Sequence, residues 1–84
     1  MAKYLHVLAF EDPRFGECYI WSYFADHEID QPTVLVRLWA DERIREDKWT
    51  RGYAKEEVRD IIENRHPNTW IAKIEDINRW AEEA

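Results

Sequence analysis

Residues 33–40, TVLVRLWA, decide how the rest of the chain is read. Strict alternation puts Val34, Val36 and Leu38 on one side and Leu35, Arg37 and Trp39 on the other, the period of a strand. Two upstream segments alternate in the same way. In KYLHVLAF (3–10), Leu5, Val7 and Ala9 oppose Tyr4, His6, Leu8 and Phe10. In CYIWSYFA (18–25), Cys18, Ile20, Ser22 and Phe24 oppose Tyr19, Trp21, Tyr23 and Ala25. EDPRFGE, with Pro13 and Gly16, separates these two segments as a turn, and DHEIDQP separates the second from TVLVRLWA.

Downstream the period changes. KWTRGY (48–53) reads as a short fourth strand, and from Ala54 to Arg65 the apolar positions Ala54, Val58, Ile61 and Ile62 recur at helical spacing. His66-Pro67 ends that helix, because the residue before a proline is pushed out of helical backbone space. TWIAKIE (69–75) then alternates as a returning strand, and Asp76 is a suitable N-cap for a short C-terminal helix. The expected fold is therefore α+β, an antiparallel sheet of four to five short strands packed on one amphipathic helix at about 54–65, with a short C-terminal helix. Val36, Leu38, Val58 and Ile61 are expected to share one core, with the aliphatic side of the sheet (Leu5, Val7, Ile20, Phe24) facing the helix.

With 84 residues the chain has room for a single domain over 1–84. Eighteen acidic against twelve basic residues give a net charge of -6, which argues against direct binding to nucleic acid. No run is long and apolar enough for a membrane span, and no leader pattern opens the chain, so a cytoplasmic protein is expected. The single cysteine, Cys18, forms no internal disulfide and no paired-cysteine zinc site. No histidine pair has helical metal-ligand spacing and no glycine-rich phosphate loop is present. No catalytic residue, metal ligand or cofactor is expected.

Two groups of residues stand out as candidate binding sites. The first is acidic: residues 1–42 hold eight acids against three bases, whereas residues 43–84 hold ten against nine. Glu11, Asp12 and Glu17 fall in the first connection and Asp26, Glu28 and Asp30 in the second, as acids that could stand in for phosphates in a partner's basic groove. The second group is aromatic: Tyr19, Trp21, Tyr23, Arg37 and Trp39 share one strand parity opposite the aliphatic side, a composition that dominates interface energetics. This face is expected to bind a partner or a second copy of the chain, unless the C-terminal segment covers it. The basic cluster Arg43, Arg45, Lys48 and Arg51 around Trp49 is interleaved with Glu42, Glu46 and Asp47, the pattern of a salt-bridged surface.

The order of strands, a helix beginning YAKEEV, the turn RHPNTW and the returning IAKIED resembles small phage-encoded anti-defence and host-takeover inhibitors, anti-CRISPR proteins among them, over roughly residues 33–76. The resemblance implies a binder without catalysis, working on a host defence or nucleic-acid machine.

Overall fold

The computed structural model describes residues 1–14 and 16–83, with Glu17 described by its backbone alone. The elements run β1 (Tyr4–Asp12), β2 (Glu17–Ala25), α1 (Pro32–Arg45), α2 (Arg51–Asn64), β3 (Asn68–Lys73) and α3 (Ile74–Glu83). The class is α+β, as the sequence implies. The sheet among the described residues has three antiparallel strands in the order β2-β1-β3, not four to five.

The missing strand is TVLVRLWA, which forms the first half of α1. Pro32 stands in the first turn, where its fixed φ suits a helix and its missing N–H costs nothing. The apolar residues that satisfy a period of two also satisfy a helical stripe, for Leu35, Val36, Trp39 and Ala40 are the buried positions of α1. DERIR extends the helix with good helix formers, and packing overrides the strand preference of Val34 and Val36. The second correction concerns KWTRGY. Thr50 caps α2, its hydroxyl accepting the Tyr53 N–H at 3.2 Å, so Arg51 to Tyr53 are the first turn of a helix rather than a strand. The helix expected over 54–65 is thus α2, one turn longer at its start.

Turn chemistry closes the remaining joints. Gly16 takes φ 67° and donates its N–H to the Asp12 carbonyl at 3.1 Å, which turns β1 into β2. After α2, His66 adopts φ 47° ahead of Pro67, and β3 then runs back along β1.

Both α1 and α2 lie on one side of the sheet. Leu8, Phe10, Leu35, Val36, Trp39 and Ile61 are buried together, with Tyr19, Trp21, Tyr23, Leu38, Val58 and Ile62 among the residues packed around them. Val36, Leu38, Val58 and Ile61 therefore do share one core, but the sheet contributes its other side to it. His6, Leu8, Phe10, Tyr19, Trp21 and Tyr23 face the helices, and the aliphatic side of β1 and β2 faces away. Once 33–40 is a helix it offers no strand parity to match, and the bulky inner aromatics fill the space between sheet and helices.

Leu35→Ala and Ile61→Ala should each lose about 2–5 kcal/mol of unfolding free energy, since both side chains are fully buried. Arg37→Ala, exposed on the same helix, should stay within about 0.5 kcal/mol. Denaturant titration measures all three, and a loss under about 0.5 kcal/mol at Leu35 would contradict the placement of α1.

Candidate interaction surfaces

The aromatic residues expected to form an exposed face make up the interior instead. Phe10 stacks on Tyr19 at 5.2 Å between centroids, and Trp39 meets Phe10, Tyr19 and Trp49 at 5.1, 5.4 and 4.9 Å. Trp39 Nε1 donates to the Tyr19 hydroxyl at 3.3 Å, and Trp21 Nε1 donates to the Glu42 carboxylate at 2.8 Å. The Arg43 guanidinium lies 5.8 Å from the Trp39 ring and 5.6 Å from the Trp49 ring, so part of the basic cluster caps the aromatic core. Arg37 alone of the aromatic group is exposed, on α1. Trp39 is 4 % exposed and Tyr19, Trp21 and Tyr23 are partly buried under α1 and α2, not under the C-terminal segment. An aromatic sheet face open to a partner is thus corrected to an aromatic layer between sheet and helices.

The open side of the sheet is the aliphatic one. Ile20, Phe24 and Trp70 are 64, 60 and 55 % exposed, and Leu5, Val7 and Ala72 lie partly exposed beside them. The register sets their arrangement: Leu5 stands between Phe24 and Ala72, Val7 between Ser22 and Trp70, and Ala9 between Ile20 and Asn68. Charge on this side is confined to its ends, where alternation places Lys3 at one and Glu11 at the other. A second uncovered apolar surface is the stripe of α3, whose Ile74 and Ile77 are partly exposed and Trp80 is exposed. None of the residues of α3 is buried, and its main packing partner is β3.

The six acids expected to contact a basic partner separate into two groups at opposite ends of β2. Asp26, Glu28 and Asp30 are exposed, with Asp26 bound to His27 at 2.9 Å, an arrangement that holds the Asp26 carboxyl below the usual range. Glu28 shares a shallow depression with Asp76 and Trp80 of α3. At the other end Glu11 is exposed, but Asp12 is 4 % exposed and turned inward. Arg14 donates to both Asp12 oxygens at 3.1 and 3.3 Å, and this pairing holds the Asp12 carboxyl below the usual range against the opposing pull of desolvation. Asp12 is therefore a structural acid and not a free one. For Glu17 the side chain lies outside the described residues.

Beside Asp12 a cleft of about 490 Å³ is lined by Glu11, Asp12, Cys18, Asp60, Asn64 and Arg65 among others. Arg65 pairs with Asp60 at 2.7 Å and with Glu57 at 3.5 Å, so its charge is spent on α2. Asn64, and then Arg65, hold the Asp60 carboxyl below the usual range. Cys18 is exposed at the cleft, and no histidine lines it among the described residues. Among the described residues, no group of three or more His, Cys, Asp or Glu side chains could hold a metal ion. No helix is long and apolar enough to cross a membrane. No family model, no curated protein and no solved structure matches this chain.

The signal that could have marked the aliphatic side as outward is its small and polar residues, since Ser22 and Cys18 alternate with Ile20 and Phe24 there, while the opposite side of β2 carries Tyr19, Trp21 and Tyr23. The ion pair of Asp12 and Arg14, two residues apart across a turn, gave no such signal.

A carboxyl whose ionised form is favoured by folding stabilises the protein above its unfolded range and ceases to do so as the pH falls through its lowered folded value. Asp12→Asn should therefore melt below the parent at pH 7, and the difference should shrink steadily below about pH 4. Thermal melts across that range measure it, and a gap that persists unchanged at pH 2 would contradict the pairing with Arg14.

Proposed function

We propose that the protein is a non-enzymatic binding module whose contact surface is the open side of its sheet. The observation that carries this reading is the exposure of Ile20, Phe24 and Trp70 on one uncharged, strand-ordered surface that neither α1 nor α2 covers. Apolar surface of this kind gains free energy when removed from water, and large aromatics supply most of that gain at interfaces. The sheet is a rigid platform, so little ordering entropy opposes binding.

A second reading, an inhibitor of the phage anti-defence kind, docks acids on the basic, nucleic-acid-binding surface of a host machine inside the cytoplasm. It is supported by the grouping of Glu28, Asp76 and Trp80 around one depression next to exposed Asp26 and Asp30. Opposite charge there would accelerate encounter and set orientation.

Capture of host proteins on the immobilised chain separates the two. The open-face reading expects Phe24→Glu with Trp70→Glu to abolish capture while Lys at Asp26, Glu28 and Asp30 leaves it in place. The acidic reading expects the reverse, with capture falling steeply as salt rises. The first reading would be overturned if neither capture of other proteins nor capture of a tagged second copy of the chain were changed by the Phe24 and Trp70 substitutions.

A further inference from the structure

Within that reading of the open face, on which this inference rests, we propose that the occupant is a second copy of the chain, the two sheets stacked face to face with their strands antiparallel about a two-fold axis at the level of Val7 and Trp70.

The register makes the face self-complementary in this arrangement. An axis lying between the sheets and perpendicular to the strands at Val7 exchanges the Leu5 level for the Ala9 level and keeps each strand over its own copy. Phe24, at the Leu5 level, then meets Ile20 of the second copy, at the Ala9 level, and the contact occurs twice. Trp70, at the Val7 level, meets Trp70 of the second copy beside the axis. The Lys3 end of each sheet comes over the Glu11 end of the other, which pairs opposite charges. An axis along the strands gives a poorer match. It would lay Phe24 on Ala72, Ile20 on Asn68 and Trp70 on Ser22, and would set Lys3 against Lys3 and Glu11 against Glu11.

Area supports the same occupant. Ile20, Phe24 and Trp70, exposed at 64, 60 and 55 %, together with Leu5, Val7 and Ala72, offer on the order of 500 Å² of apolar surface. A stable interface of standard size buries about 800 Å² per partner, of which about 500 Å² is apolar. The face is thus large enough to close a dimer by itself.

Among the described residues, no segment covers the face. α3 begins at Ile74 directly after β3 ends at Lys73, and the Ile74 N–H still bonds the Lys3 carbonyl at 2.9 Å. With no connecting residue, α3 cannot turn back over its own sheet without unwinding its first turn. It starts instead at the Lys3 end of the sheet.

Salt gives the dimer a distinctive signature. Two copies of net charge -6 repel at long range, so screening should tighten an apolar dimer, whereas it weakens acids docked on a basic partner.

The test is sedimentation equilibrium on the full chain over roughly 1–100 µM at low and high salt. The expected mass is twice 10.3 kDa, with tighter association at high salt. Phe24→Glu and Trp70→Glu should each raise the dimer dissociation constant by about 100-fold or more. Both side chains are exposed in the monomer, so far-UV circular dichroism should stay unchanged. A spin label on the native Cys18 reports the arrangement: sheets about 10 Å apart with antiparallel strands put the two Cys18 Cα atoms about 29 Å apart, and parallel strands about 14 Å. A monomer throughout, a dimer insensitive to both substitutions, or the shorter distance would each overturn the proposal. A monomer whose capture of host proteins still depends on Phe24 and Trp70 would overturn the second copy alone and leave the face as the binding surface.

Discussion

The imidazole of His6, fully buried on the central strand, ties three parts of the chain together: its Nε2 accepts the Ile29 N–H at 2.9 Å while Nδ1 donates to the Tyr23 carbonyl at 3.3 Å. β1 is thereby joined to the edge strand β2 and to the segment that leads from β2 into α1. Accepting at Nε2 requires that this nitrogen carry no proton. Without the imidazole the Ile29 amide would be left with a desolvation cost of about 1–3 kcal/mol. The bond anchors the returning chain at Ile29 on the face that carries His6, the face on which Leu8, Phe10 and the aromatics of β2 are buried. α1 then lands on Leu8, Phe10 and the aromatics of β2, and α2 follows it through the short connection at 46–50. Trp39 fills the centre of that layer, among Phe10, Tyr19 and Trp49, with Arg43 over its edge.

A two-layer fold with both long helices on one side leaves the other side of the sheet to face outward. In most such sheets that side is polar. Here it carries Ile20, Phe24 and Trp70, while the acids lie at the ends of the strands and the inner acid Asp12 is bound by Arg14. The division is one of chemistry as well as geometry: apolar in the middle, charged at the margins.

Much of this was legible in the sequence because local pattern and tertiary structure agree over most of the chain. Tyr4–Asp12 and Glu17–Ala25 alternate as strands, and the stripe of Ala54, Val58 and Ile61 is a helix. The return strand and the last helix are also present, but the strand ends at Lys73 rather than Glu75 and the helix starts at Ile74, so Asp76 lies in its first turn and is not its N-cap. TVLVRLWA was not legible, since Val34, Leu35, Val36, Leu38 and Trp39 satisfy a period of two and a period of 3.6 at once. Pro32 before it and Ala40 and Ile44 after it were the residues that distinguished the periods. One misread element then reversed the sheet, because the choice between two apolar sides of β1 rested on matching a strand that does not exist. The buried role of His6 had no sequence signal at all, as its partners are backbone groups 17 and 23 residues away.

The most direct measurement is the tautomer of His6 by nitrogen-15 NMR, with a scalar coupling sought across its bond to Ile29. The account predicts a neutral ring with its proton on Nδ1 and a coupling between Nε2 and the Ile29 amide. A ring protonated on Nε2, or one whose protons exchange rapidly with water, would contradict it.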